Sequence, residues 1–243
     1  MTTRSTVAII HARGGSKRIP LKNLQIVGGK PLLAYPIALC RRCPRIDRII
    51  VSTDHDGIAQ AALGLGAEVP FRRPADLSED VPSELVTLHA LRHMEAQDGQ
   101  MPEFAVTITP ATPLTRLEQL EEGFALLDAH PTWDSVTTVR RTVEHPEWTL
   151  QRDAGTGELR TILGNPLNGR YNVSQNLAEY FYPTGAFWIH RVASLLEYPC
   201  LYGRRWGAVV LGPEDSIDID YPDDLARADA TLRARVGSQA ITE

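Results

Sequence analysis

Short β-branched runs and amphipathic stretches alternate from residue 6 to residue 141, and no other feature of the chain constrains its fold as tightly. The run "TVAIIHA" (6–12) is short, apolar and followed by glycines, as a buried strand requires. "PLLAYPIALCRRC" (31–43) predicts a helix with proline in its first turn. Strand signals return at 46–54, 67–71, 104–110 and 133–141, and helix signals at 57–66, 83–97 and 117–130. Strands separated in this way pair in parallel, because a parallel neighbour is reached only through a crossover. The expected class is α/β, a mostly parallel sheet with helices on both faces.

The rhythm stops after Arg141. Residues 142–185 hold six prolines and glycines in "EHPEWTLQRDAGTGELRTILGNPLNG", then the aromatic cluster "YFY". Such punctuation predicts an excursion of hairpins and loops from the main sheet. Regular signals resume with "GAFWIHR" (185–191), a helix near 192–197, a strand at 206–212 and a last helix after Pro222. The chain of 243 residues therefore divides into one α/β domain, 1–141 with 186–243, and an inserted subdomain at 142–185.

A net charge of -5 argues against a nucleic-acid binder that works through bulk charge. It permits a small anionic ligand, which responds to the local field. No apolar run approaches the roughly 18 residues that span a bilayer. "MTTRSTVAII" lacks a secretory pattern, so a cytoplasmic protein is expected, away from the membrane. Cys40, Cys43 and Cys200 cannot build a disulfide framework, and the C-x-x-C of Cys40 and Cys43 has no second pair to complete a zinc site.

The strongest local field lies in "HARGGSKRIPLKN" (11–23), which gathers Arg13, Lys17, Arg18 and Lys22 directly after the first strand. The chain has three lysines, Lys17, Lys22 and Lys30, against 22 arginines, so its compact point charges are concentrated here. In doubly wound sheets ligands bind beyond the carboxyl ends of the strands. Gly14 and Gly15 let the backbone approach a phosphate. Arg13, Lys17 and Lys22 can neutralise a triphosphate and stabilise a departing pyrophosphate. The spacing matches neither G-x-x-x-x-G-K-[ST] nor G-x-G-x-x-G, so this is a phosphate loop of another type; the competing reading is a solvated surface loop.

Near the other end, "SIDIDYPDDL" (216–225) places Asp218 and Asp220 two apart on an expected strand, with both carboxylates on one side. Two carboxylates joined by phosphate oxygens and waters suit Mg²⁺. Asp223 and Asp224 are expected to cap and charge the helix that begins at Pro222, a role that is also the alternative for Asp220. Asp54 in "VSTD" reads as a helix cap. Arg72, Arg73 and Ser83 in "RRPADLSEDVPS" (72–83) are placed to reach a nucleotide, and the proline-fixed "TPATPLTR" (109–116) suits substrate positioning. His89 and His93 lack the glutamate of H-E-x-x-H and read as ordinary helix histidines.

Taken in order, "ARGGSKRIPLKN", "GGKPLLAYPI", "DRIIVSTD", "GAEVPFRRPADLSED" and "DIDYPDDL" resemble the acylneuraminate cytidylyltransferases (CMP-sialic acid synthetases). The "SKRIP" loop is similar to the pseudaminate branch. The resemblance covers nearly the entire chain. It implies a Rossmann-like fold of the nucleotide-diphospho-sugar transferase type. The implied reaction converts CTP and an acidic sugar into CMP-sugar and pyrophosphate, the anomeric hydroxyl attacking the α-phosphorus in line. It implies that Arg13, Ser16, Lys17, Lys22, Asn23 and Arg73 hold the nucleotide, and Ala12, Gly14, Gly15 and Ser83 stand beside them as further candidate nucleotide contacts. Arg13, Lys22 and Asp220 would carry catalysis, with Mg²⁺ on Asp218 and Asp220. Positioning, charge neutralisation and metal activation would then supply most of the rate. The resemblance also implies a homodimer in which residues 142–185 close the neighbouring site.

The acceptor side departs from the family pattern. The glutamine of Q-P-T-S-P-L-R is Thr109, the lysine after His-Pro gives way to Glu147 and Trp148, the arginine of R-Q-[DQ]-L-P is Ser174, and N-G is Thr184-Gly185. Thr109, Arg170, Ser174 and Gln175 carry over as acceptor-binding positions, with Arg170, Arg140 or Arg141 as replacements for the missing cations. These departures keep a second acid in view, 3-deoxy-manno-octulosonate or a phosphonate. Two other classes fit less well: an oxidoreductase lacks its G-x-G-x-x-G, and a binding module without turnover has no use for Lys22, Asp218 and Asp220 together.

Overall fold

The computed structural model describes residues 5–239. In chain order the elements are β1 (Thr6–His11), β2 (Ile26–Val27), β3 (Lys30–Pro31), α1 (Ala34–Arg42), β4 (Arg48–Ser52), α2 (Asp56–Gly64), α3 (Ser83–Asp98), β5 (Phe104–Ile108), α4 (Leu117–Ala129), β6 (Ser135–Arg141), β7 (Leu150–Arg152), β8 (Leu159–Thr161), β9 (Phe181–Arg191), α5 (Val192–Glu197), β10 (Trp206–Leu211) and α6 (Pro222–Gln239). Six strands form the central sheet in the order β10-β6-β9-β5-β1-β4. β1 pairs in parallel with β4 and β5, and β6 with β10. Only β9 is reversed, antiparallel to both β5 and β6. The reversal has a simple cause. The chain leaves β6 at its carboxyl end, completes the excursion, and re-enters at that same end, so β9 must run back.

β1 shows why its residues are apolar at consecutive positions. Ala8 and Ile10 pack on one face with Ile37 of α1, Ile58 of α2 and Phe124 of α4. Val7 and Ile9 pack on the other with Leu91 of α3 and Leu195 of α5. A strand covered on both faces has no polar face to alternate with.

Some expected elements differ. The run 67–71 contributes a single parallel bridge, Glu68 to Ile50; Pro70 has no N–H for a longer ladder. The first helix begins at Ala34, because Pro31 pairs with Ile26 in β3. Pro36 takes the first-turn position, where backbone N–H groups have no intrahelical partner. The excursion holds the β7–β8 hairpin. Phe181 and Tyr182 of the aromatic cluster belong to β9, paired with Arg141 and Arg140.

A third apolar cluster positions the site. Ile19 from the cationic loop packs with Val27, Leu32, Leu114, Ile217, Ile219 and Ala228. Burial of these side chains brings the "SKRIP" loop and the "DID" segment together from opposite ends of the chain.

Candidate active site

A cleft of about 500 Å³ opens beyond the carboxyl ends of β1, β4 and β5. β1 delivers His11 and the cationic loop, the segment after β4 delivers Arg73, and β5 leads into Thr109, Pro110 and Ala111. Arg13, Ser16, Lys17, Lys22, Asn23, Arg73, Ser83, Thr109, Asp218 and Asp220 all line it. Ala12 is buried behind it, its N–H donating to the Ser52 carbonyl at 3.0 Å. Arg170, Ser174 and Gln175 do not join this cleft within the chain. Arg170 donates to the Tyr171 hydroxyl at 2.9 Å, and Ser174 and Gln175 line a separate depression with His145 and Glu179.

The cationic loop is braced from three directions. The Gly14 N–H donates to Asp54 Oδ1 at 2.7 Å, so that N–H is committed to the protein. Asp54, expected as a helix cap, anchors the loop instead. His55 caps α2, its Nδ1 accepting from the Gly57 N–H at 3.1 Å. A Cβ added at Gly14 would lie 2.8 Å from His55 Cβ, whereas one at Gly15 meets open space. Asn23 is buried and donates through Nδ2 to the Arg13 carbonyl at 2.8 Å. Leu21 adopts a left-handed φ of 47°, the sole non-glycine residue to do so among the described residues. That conformation costs about 1–2 kcal/mol. It immediately precedes Lys22, whose Nζ donates to the Ile219 carbonyl at 2.6 Å.

The charges are arranged in two groups. Lys17 and Arg13 each reach Asp80 at 2.6 Å, and together they hold its carboxyl down at about 2. Arg18 pairs with Asp220 at 2.8 Å and lies 4.6 Å from the centre of the Tyr221 ring, while Lys22 approaches Asp220 at 3.4 Å. Arg73 is 5% exposed and donates to neutral acceptors, Ser52 Oγ at 3.0 Å and the Ser52 carbonyl at 2.6 Å. Burial lowers its pKa to about 10, against the opposing charge of Asp54. A buried guanidinium with no bonded carboxylate is a cation held ready for an anionic ligand. Arg72, expected beside it, turns away to Asp56 at 2.5 Å and the Asp54 carbonyl at 2.7 Å.

Residues 217–220 belong to no strand; Ile219 N–H donates to the Ala111 carbonyl at 2.9 Å. The alternation read from the sequence survives without the sheet. Ile217 and Ile219 are buried, and Asp218 and Asp220 are exposed. Asp218 reaches the open cleft but is crowded by protein elsewhere. That desolvation, and then the charge of Asp220, push its carboxyl up to about 6, with Lys22 opposing. Two mutually repelling carboxylates beside the cations Arg18 and Lys22 are a donor set that fits a hard divalent ion. Among the described residues no group of three or more His, Cys, Asp or Glu forms an all-protein cage, so the remaining ligands would be phosphate oxygens and water. Asp224 caps α6, accepting from the Asp220 and Tyr221 N–H groups at 3.1 and 2.8 Å.

Several supporting residues carry no signal in the sequence. Asp215 is buried and accepts from Arg116 at 2.8 Å, Gln119 at 2.7 Å and Arg235 at 2.6 Å, fixing the entry to the acidic segment. His11 begins a chain of hydrogen bonds: His11 Nε2 to Thr87 Oγ1 at 3.1 Å, Thr87 Oγ1 to Thr107 Oγ1 at 2.8 Å, and Thr107 Oγ1 to His190 Nε2 at 3.1 Å. Burial keeps both imidazoles neutral, their pKa values lowered to about 3.

A family model described as "Cytidylyltransferase" matches residues 7–154. The N-acylneuraminate cytidylyltransferase of Oncorhynchus mykiss is 30% identical over 225 residues, covering 91% of this chain and 49% of that protein. The CMP-N,N'-diacetyllegionaminic acid synthase of Legionella pneumophila is 28% identical over 221 residues, covering 90% and 93%. The pseudaminic acid cytidylyltransferase of Campylobacter jejuni is 28% identical over 219 residues, covering 90% and 92%. The chain thus spans about half the length of the fish protein and nearly all of the two bacterial ones. A solved CMP:2-keto-3-deoxy-manno-octonic acid synthetase complexed with CTP shares the fold, with a TM-score of 0.68 at 17% identity over 97% of this chain and 99% of that one. So does 4-diphosphocytidyl-2C-methyl-D-erythritol synthase of Anaerococcus prevotii, with a TM-score of 0.63 at 16% identity over 95% and 99%.

Proposed function

The chain belongs to the cytidylyltransferase family, and from that premise we propose that it transfers CMP from CTP to an acidic sugar of the nonulosonate type, releasing pyrophosphate. One observation carries the reading: a single cleft joins a braced cationic loop and a buried arginine to a pair of exposed carboxylates. The relatives described above are named for acylneuraminate, legionaminate and pseudaminate, all sugar acids, which supports an acidic acceptor.

Arg13 and Lys17, which here share Asp80, exchange that carboxylate for the outer phosphates. Lys22 and Arg73 offset the charge that develops at the α-phosphate and on the departing pyrophosphate. Asp218 and Asp220 would hold Mg²⁺, which supplies charge neutralisation and acidifies the attacking hydroxyl. The acceptor hydroxyl gives its proton to water, its oxygen bonds to the α-phosphorus, and the bond to the pyrophosphate leaving group breaks. The protein's part is alignment and charge placement.

The same reading makes the protein a homodimer. The excursion exposes Leu159, Ile162, Leu163, Leu167 and Val173, apolar side chains that a second copy can cover. Arg170, Ser174 and Gln175 then serve the partner's cleft rather than their own. We place the enzyme in the cytoplasm: Cys40 and Cys43 are buried free thiols, which suits a reducing compartment. Among the described residues no helix is long and apolar enough to cross a membrane.

The test is pyrophosphate release with each of the four nucleoside triphosphates and a panel of acidic acceptors, with and without Mg²⁺. Release is expected with CTP and Mg²⁺ only, and Lys22→Ala and Asp220→Asn should abolish it with the fold intact. No release with CTP and any acid would refute the reading. Release with 3-deoxy-manno-octulosonate or a phosphonate alone would overturn the nonulosonate assignment and retain the nucleotide half.

A further inference from the structure

A second cleft, of about 740 Å³, opens beyond the carboxyl ends of β6 and β10, on the same edge of the sheet as the first. Asp218 lines both, so this one side chain belongs to the wall that the two clefts share. The sheet register sets Arg140 against Tyr182 of β9 on one side and Leu211 of β10 on the other. The Arg140 guanidinium lies 5.3 Å from the centre of the Tyr182 ring, and its one hydrogen bond is a long contact to the Arg141 carbonyl at 3.5 Å. The aromatic face orients the planar fork without using its donors. Arg227 of α6 lines the same cleft, and among the described residues no carboxylate pairs with it or with Arg140.

Most other charges there are already engaged. Arg141 pairs with Glu179, and Asp224 caps α6. Glu144 stands exposed at the rim. The cleft therefore offers two arginines with unused donors, an acceptor at its edge, and volume within the range of small-molecule sites.

We propose that this cleft binds the acceptor acid, with Arg140 and Arg227 holding its carboxylate and Glu144 accepting from its hydroxyls. The proposal rests on the cytidylyltransferase reading and deepens it. The reacting hydroxyl and the α-phosphate must meet at one point, and a nucleotide in the first cleft and an acid in the second meet at Asp218. The assignment also accounts for the cations missing at Glu147 and Ser174, because it supplies the carboxylate's partners from β6 and α6.

The experiment begins with the full-length wild type, CTP and Mg²⁺, assayed with N-acetylneuraminate, N,N'-diacetyllegionaminate, pseudaminate and 3-deoxy-manno-octulosonate. With the best acceptor, Arg140→Gln and Arg227→Gln should each raise the acceptor KM at least tenfold and leave the KM for CTP within twofold. Arg140→Lys should recover part of the loss. An acceptor KM within twofold of wild type in both variants overturns the proposal, as does an equal rise in the KM for CTP. Arg227 is exposed on α6, so its variant keeps the test available if Arg140→Gln does not fold. Saturation-transfer NMR with the same four acids separates the two readings. If no acid is turned over, the reaction reading fails. The subsite then stands only if the wild type binds an acid that both variants lose, and it falls if the wild type binds none.

Discussion

Replacing Arg73 with methionine removes a buried charge while keeping much of the side chain's volume, and the structure sets the scale of the result. Burial lowers the guanidinium well below its ordinary range, to about 10. At about 1.4 kcal/mol per unit, the charged form is held at a cost of roughly 3 kcal/mol, which methionine relieves. The substitution also strips the donors from Ser52 Oγ and the Ser52 carbonyl, now bonded at 3.0 and 2.6 Å. Leaving such groups unpaired costs about 1–3 kcal/mol. The two effects oppose each other, so the net change should stay within about 2 kcal/mol, or less than about 8 °C in Tm for a chain of this size. Binding has no such compensation. A lost charge-assisted contact of about 1.5–3 kcal/mol weakens CTP roughly tenfold to a hundredfold. Calorimetric melting without nucleotide and titration calorimetry with CTP measure the two quantities on one sample. A large drop in Tm with unchanged CTP affinity would mean that Arg73 holds the fold rather than the ligand, and the reasoning would be wrong.

Asp80→Asn releases Arg13 and Lys17 and should tighten pyrophosphate binding at low ionic strength, with the gain shrinking in high salt because the groups are exposed; weaker binding by titration calorimetry would make Asp80 part of the ligand site instead. Gly14→Ala forces a Cβ against His55 and should lower stability by about 1–3 kcal/mol, while Gly15→Ala, facing open space, should stay within about 0.5 kcal/mol. Equal urea midpoints for the two variants would contradict the close approach. His190 is neutral in the fold, with its pKa lowered from 6.5 to about 3. The unfolded chain takes up this proton first, so its contribution is complete above pH 6.5. It is lost as pH falls toward 3, at about 1.4 kcal/mol per pH unit. Urea unfolding across that window should show His190→Asn with a shallower acid slope than wild type, and an unchanged slope would argue against a buried neutral imidazole.

Much of the site was legible in the residues themselves. The cationic loop that lines the first cleft was marked by cation density and by spacing that excluded two other glycine loops. Asp218 and Asp220 were marked by alternation with isoleucines, which held even though the segment joins no strand. Arg73 stood out by motif, but Arg72 beside it carried the same signal and faces elsewhere. Asp54 carried the signal of a cap and became a loop anchor, because His55 captured the helix terminus first. Asp80 and Asp215 carried no signal: an acidic residue in a loop looks alike whether it meets solvent or two arginines.

By itself the sequence determined the element types, the parallel character of most of the sheet and the two charged segments that line the first cleft. Those features arise from periodicity, turn chemistry and side-chain type, which act within a few residues of each other. Tertiary structure decided the reversal of β9, since that depends on which end of the sheet the excursion returns to. It also decided the pairing of Asp80 with the cationic loop and the meeting of Arg140 and Arg227 in one cleft. These last depend on the burial of Ile19 with Ile217 and Ile219 and on the sheet register, contacts between distant parts of the chain that no local pattern encodes.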